Sequence, residues 1–293
     1  MSARDLVIGI ALMVLWGFNF SVIQLGVEHA HPTMITAARF FFAAIPAIFF
    51  VPRPQVPTRY LVGYGLSFGL GVWGMMTVAM KLGVSPGMAG LLLQLSVVSS
   101  IFLGWLWLQE NIAINKVIGV VLALMGLAVS LSIEDGSLPL VGLPFALVAA
   151  MCWSFNGILV KRSGTREVFS FCVWGMLFAP IPLCLIAWLS YGDTILMGFT
   201  GEGMEKVWFS VLFQAYPTTL FGYWVWNRLV VKYPLSTVAP LTFLTPVTAL
   251  LGGVIFYGEA VGVSKLFAFS FILLGLLVSQ MQLKNYFPRL KRT

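Results

Sequence analysis

Ten apolar stretches run through the chain, and the first five are echoed by the last five. Trp16-x-x-Asn19 in the first stretch returns as Trp153-x-x-Asn156 in the sixth, 137 residues later. Gly104, Glu110, Lys116 and Gly126 return as Gly253, Glu259, Lys265 and Gly275, each 149 residues later. The second offset exceeds the first by 12, which fits one longer connector in the second half, 191–206 against 52–59. The stretches predict helices over 5–27, 33–51, 60–80, 86–107, 116–133, 139–160, 169–190, 207–228, 236–257 and 265–283. A spanning helix needs ~20 apolar residues to cross ~30 Å of hydrocarbon. Barrel strands alternate over ~10 residues, and these runs are too long and too uniform for that. The first stretch is followed by no small-residue cleavage site and reads as a retained helix.

Composition decides the solvent. Only 9% of the residues are charged and the mean hydropathy is +0.96. Soluble domains carry about 25% charged residues, so a surface this apolar belongs in lipid. Ten helices with short loops use the whole 293 residues, which leaves no separate soluble domain.

The basic residues give the orientation. With the N-terminus inside, 13 of the 17 Lys and Arg fall in cytoplasmic segments, including Arg4, Arg53, Arg59, Lys161, Arg162 and the tail from Lys284 to Arg292. Three fall outside: Lys81, Lys206 and Lys265. This is a positive-inside pattern and predicts two cytoplasmic termini. The net charge of +7 is explained by anionic inner-leaflet lipid and implies no nucleic acid. Five helices are an odd number, so the second half enters the membrane from the opposite side. The fold class is therefore an all-α polytopic membrane protein of ten transmembrane helices in two inverted five-helix repeats, 1–133 and 139–293. Inverted repeats are common in secondary transporters, where substrate binds near the midplane between the halves.

Trp16-Gly17-Phe18-Asn19-Phe20, Arg39, the stretch Leu103–Gly126 with Glu110, and the second copy of these features resemble EamA-type carriers of the drug/metabolite transporter superfamily. The resemblance covers essentially the full chain and rests on motif order and repeat spacing. It implies ten helices, export of small metabolites and a place in the bacterial inner membrane. Arg39–Pro57, with Phe40-Phe41-Phe42, Pro46 and Arg53-Pro54-Gln55-Val56-Pro57, looks most like the O-acetylserine/cysteine exporter branch. One departure is visible: the seventh stretch has no basic residue to match Arg39.

Polar side chains in hydrocarbon cost free energy unless they meet a partner or a wet cavity, so they are the candidate site residues. Arg39 is the one full charge well inside a predicted span, ~10 Å from its outer end at 1.5 Å per residue. It reads either as an anchor for a substrate carboxylate or as a snorkelling Arg that ties helices one and two together, through Glu28 or backbone carbonyls. Asn19 and Asn156 read as a paired central site or as interhelical glue. Gln94 and Gln214 are similar. Trp73, Tyr216 and Tyr223 are pathway walls or interfacial anchors. Pro217 and Pro246 free a backbone carbonyl, act as hinges, or simply kink. Gly65-x-x-x-Gly69 permits close helix contact.

All ten acidic residues lie at helix ends or in loops, which argues against a buried-carboxylate proton relay. Proton coupling would need a loop-proximal carboxylate such as Glu110 or Glu259, or one of His29 and His31. Cys152, Cys172 and Cys184 are expected to be free thiols. No motif for nucleotide hydrolysis, metal binding or nucleophilic catalysis is present. No cofactor is implied, and the partners expected are a small-molecule substrate and the bilayer. Ten helices suffice for a monomer, and a dimer stays open. The reading is a secondary exporter of amino acids or amino-acid-like compounds working by alternating access. The alternatives are a passive channel or facilitator and, more remotely, a membrane-embedded enzyme.

Overall fold

The computed structural model describes residues 1–108, 113–233 and 238–281. Glu110 and the basic tail from Lys284 lie outside the described residues. Among the described residues the chain is helical, with no strand beyond an isolated bridge of Met197 and Thr200.

Ten helices follow one another. They are α1 (Ala3–His29), α2 (Pro32–Ile48), α3 (Thr58–Lys81) and α4 (Pro86–Leu93 continued by Ser96–Leu108). After them come α5 (Ile114–Ser130), α6 (Leu143–Ser163) and α7 (Val168–Met176 continued by Pro180–Tyr191). Last are α8 (Met204–Phe213, Gln214–Phe221 and Gly222–Lys232 in succession), α9 (Ala239–Phe243 continued by Leu244–Tyr257) and α10 (Val263–Gln280). The expected spans are all present, with ends shifted by a few residues. Local signals set those ends. Ser2 and Ser85 cap α1 and α4 by accepting from the Asp5 and Met88 amides. Gly164 and Gly258 close α6 and α9 at φ of 66° and 63°, a left-handed conformation that favours glycine.

The packing obeys the repeat. The two halves pair α1 with α6, α2 with α7, and so on to α5 with α10. α1 packs on α9 as α6 packs on α4, and α3 packs on α6 as α8 packs on α1. α3 packs on α7 as α8 packs on α2, and α2/α7, α4/α9 and α5/α10 meet their own counterparts. Such closure under exchange of the halves is what a two-fold between inverted repeats produces. The expected Gly65-x-x-x-Gly69 contact is made: both glycines face α7, at the Gly175 carbonyl and Ala179. The α5–α10 crossing is close as well. A Cβ on Gly275 would lie 2.6 Å from the Gly119 carbonyl oxygen, and one on Gly126 would lie 2.8 Å from that of Ala268. Gly126 and Gly275, read from the sequence as repeat partners, therefore sit on one interface where bulk is excluded.

Continuity breaks in pairs as well. α3 opens into a π-helix over Leu66–Gly74, and α8 does the same over Gln214–Phe221. In α8 the cause is Pro217, which has no N–H and whose ring displaces the preceding turn. The Thr218 and Thr219 hydroxyls each donate to the Gln214 carbonyl at 2.7 Å, satisfying a group the wide turn releases. α4 is interrupted at Gln94–Leu95, and α9 changes from 3-10 to α winding at Phe243–Leu244, the repeat-equivalent place. The apolar run 86–107 predicts a single span, and the structure divides it at Gln94–Leu95. All four irregular segments reach one cavity.

Candidate functional site

The irregular segments surround a cavity of about 180 Å³ lined by α1, α2, α3, α4, α6, α8 and α9. Arg39 enters it from α2 and is only 2% exposed. Its guanidinium reaches across to α8. Nε and Nη2 donate to Thr219 Oγ1 at 3.1 and 3.0 Å, and Nη1 donates to Gln214 Oε1 at 3.3 Å. Its carbon lies 4.1 Å from the Trp73 ring centroid, within cation–π range. Among the described residues it forms no ion pair. The expected link to α1 or Glu28 is absent; the helix that Arg39 ties to α2 is α8. Three polar contacts fall short of the five N–H groups a guanidinium carries, so donors remain for a group entering the cavity.

Gln214 is therefore a support behind Arg39. It is 1% exposed, accepts from the guanidinium, and donates through Nε2 to Ser210 Oγ at 2.9 Å. The structure brings Asn19, Arg39, Trp73, Gln94 and Tyr223 together on the cavity wall. Asn156 is 6% exposed on α6 and does not line the cavity, with Nδ2 donating to the Cys152 carbonyl at 3.0 Å. Tyr216 stands 38% exposed and does not line the cavity.

Gln94 and Pro246 explain one another. A proline removes the N–H that would bond four residues back, and its ring disfavours that approach. The carbonyl four residues before Pro246 is that of Thr242, and Gln94 Nε2 donates to it at 3.3 Å. The break in α4 thus supplies the donor that the proline of α9 withholds.

The rest of the wall is aromatic. Trp16, Phe20, Trp73, Trp153 and Tyr223 line the cavity, with Trp16 stacked obliquely on Tyr223 at 5.4 Å and Trp73 edge-on to Trp153 at 6.4 Å. Trp16 Nε1 donates to the Thr218 carbonyl at 2.9 Å, in the wide turn of α8. Sequence reasoning used Trp16 and Trp153 only to mark the repeat, and it missed Phe20, Thr218, Thr242 and Thr245. The signal for the two tryptophans was their spacing: residues three apart share a helix face with the Asn that follows. The threonines had no such mark. No cluster of His, Cys, Asp or Glu that could hold a metal occurs among the described residues, and the three cysteines are free.

One end of the bundle carries a second polar cluster. The Lys265 side chain is fully buried and pairs with Asp135 at 2.8 Å and Glu259 at 3.1 Å. It also donates to the Ala260 carbonyl at 2.7 Å. Glu259 in turn accepts from Ser85 Oγ at 2.7 Å and from the Gly87 amide at 3.0 Å, at the start of α4. Burial by itself would raise the Asp135 carboxyl. The hydrogen bonds from Lys265 and Ser137 outweigh it and hold the group below the usual carboxylate range. Glu259 and Lys265, recognised as repeat marks, clamp α9 and α10 to α4 and to the α5–α6 connector.

Comparison with known proteins agrees with this arrangement. A model of the EamA-like transporter family matches residues 5–132 and again 140–281. A Salmonella typhimurium protein named "Probable amino-acid metabolite efflux pump" is 32% identical over 286 residues, 95% of each chain. The Escherichia coli protein of the same name is 31% identical over 266 residues, 88% of this chain and 89% of its own. A solved structure titled "Crystal structure of protein" superposes with a TM-score of 0.63 at 18% identity, covering 95% of this chain and 97% of the other. That likeness concerns the fold alone.

Proposed function

Since the chain belongs to the EamA-like transporter family, we propose that it exports amino acids or amino-acid-like metabolites across the bacterial inner membrane by alternating access. The coarser part follows from membership: it is a multi-pass transporter of small molecules, not an enzyme. The finer part rests on one observation. Arg39 is buried at the cavity wall, has no carboxylate partner among the described residues, and keeps donors to spare. A buried cation is costly unless paired, and the planar guanidinium fork matches a carboxylate. A substrate carboxylate supplies the missing charge.

The remaining groups have roles consistent with that anchor. Asn19 offers an amide oxygen for the substrate ammonium, and Gln214 with Thr219 hold the guanidinium in place. Trp73, Tyr223 and the other aromatic faces enclose the side chain, while Gln94 holds α4 to α9. Asn156 belongs to the pathway, and Tyr216 is the candidate with least support. The two halves, 1–133 and 139–293, rock about the site. The bias of basic residues supports an N-terminal end facing the cytoplasm. The names of the two enteric relatives support amino-acid metabolites as cargo, and the Arg39–Pro57 segment supports cysteine and O-acetylserine within that class. A monomer is sufficient for this mechanism.

Purified protein in liposomes loaded with labelled cysteine, O-acetylserine or other amino acids tests the reading. Saturable efflux, inhibited by unlabelled carboxylates and lost in Arg39→Ala, is the expected outcome. Efflux proportional to concentration without counterflow indicates a channel. Transport of decarboxylated analogues as fast as of their parents sinks the carboxylate anchor.

A further inference from the structure

Asn19 and Asn156 share an unusual property. Each is buried, at 2% and 6% exposure, and each amide oxygen accepts no hydrogen bond. An orphaned buried acceptor is costly and calls for an explanation. Other orphan oxygens occur, but among the described residues no other pair is related by the repeat. The two sites otherwise differ. Asn19 lines the cavity and Asn156 does not. Trp16 Nε1 is bonded to the wide turn of α8, whereas Trp153, its counterpart, makes no hydrogen bond to the wide turn of α3 among the described residues.

The helices run in opposite directions, which fixes where each Asn lies. Asn19 sits three residues beyond Trp16, ~4.5 Å nearer the end opposite the N-terminus at 1.5 Å per residue. Asn156 sits the same distance beyond Trp153, nearer the N-terminal end. Inverted repeats reach their second access state when each half adopts the conformation of the other. That exchange would place Asn156 on the wall and withdraw Asn19. Resting on the cavity assignment above, we propose that the two amides hand the substrate over: Asn19 Oδ1 accepts from the substrate ammonium in the state seen here, and Asn156 Oδ1 accepts from it in the opposite-facing state. Each orphan is the empty half of a hydrogen bond made in one state only.

The test uses full-length protein in oriented proteoliposomes, with Cys152, Cys172 and Cys184 replaced and Asn19→Cys or Asn156→Cys introduced. A membrane-impermeant thiol reagent is applied to each face in turn, with and without an equimolar mixture of thiol-free amino acids and O-acetylserine. The expected result is labelling of Asn156→Cys from the N-terminal face and of Asn19→Cys from the opposite face, both blocked by the mixture. In parallel, Asn156→Ala should raise half-saturation about tenfold at the N-terminal face, the loss of one charge-assisted hydrogen bond, and leave the other face within about twofold. Asn156→Cys silent from both faces, or labelled from the same face as Asn19→Cys, overturns the handover while leaving the cavity reading intact. Asn156→Ala without effect at either face overturns it also. Labelling of Asn19→Cys that the mixture does not slow, even far above the roughly tenfold-weakened half-saturation that loss of the amide predicts, overturns the cavity reading itself.

Discussion

Two buried polar residues do different work, and their partners tell them apart. Asn115, near the start of α5, donates through Nδ2 to the carbonyls of Ser279 and Met281 at 3.0 and 2.6 Å, capping the end of α10. Arg39 spends its donors on side chains that still leave it facing a cavity. Asn115→Leu is expected to lower stability by about 1–3 kcal/mol, because it leaves helix-terminal carbonyls unpaired, and a thermal melt in detergent reads this. Transport normalised to folded protein should be unchanged. Arg39→Lys is expected to raise half-saturation for carboxylate substrates by about tenfold or more, since an ammonium lacks the planar fork that spans Thr219 and Gln214 and stacks on Trp73. A melt close to that of the parent, together with weakened uptake, separates binding from folding. Arg39 was legible in the sequence as a charge where charge is expensive. Its support by Gln214 and Thr219 was not, because those residues lie 175 and 180 positions away.

At the scale of elements, α4 and α9 both depart from regular α winding where they meet. Pro246→Ala restores an N–H that can bond the Thr242 carbonyl, so it competes with Gln94 and straightens α9 against α4. Transport should fall several-fold while the melting temperature holds or rises, since a proline inside a helix costs ~3 kcal/mol. Loss of both together would show that the kink is merely structural. At the α5–α10 crossing the expectation is the reverse. Gly275→Leu inserts bulk where a Cβ already meets the Gly119 carbonyl at 2.6 Å. It should cost about 1–3 kcal/mol or more by overpacking, seen as a lowered melt. The helices themselves were legible from apolar runs of spanning length. The break in α8 was marked by Pro217; those at Gln94–Leu95 and in α3 were not legible, because a run apolar on every side carries no periodicity to show a change of winding.

For the whole molecule, the buried cluster of Lys265, Glu259 and Asp135 joins both halves at one end. Lys265→Met leaves two carboxylates without their cation and should cost about 3–5 kcal/mol. Adding Glu259→Gln should recover part of that loss in the melt, because one uncompensated charge disappears. Asp135 adds a pH dependence with a definite sign. Its carboxyl is held below its ordinary value in the fold, so its contribution is present above the unfolded value of about 4 and is lost as pH falls below that. Melts of the parent should therefore drop more steeply below pH ~4 than those of Asp135→Asn; parallel curves would remove Asp135 from the account. The apolar runs, the odd number of helices per half and the repeated Trp-x-x-Asn, Gly, Glu and Lys marks determined by themselves that this chain spans a membrane ten times as two inverted halves. They did so because insertion into lipid is governed by local composition and length. Which polar groups meet was decided only by the tertiary structure. Arg39 faces α8 and not α1, Asn19 lines the cavity while Asn156 does not, and Tyr216 is exposed away from it. In a bundle that is apolar on every side, helix rotation is set by packing between segments far apart in the chain.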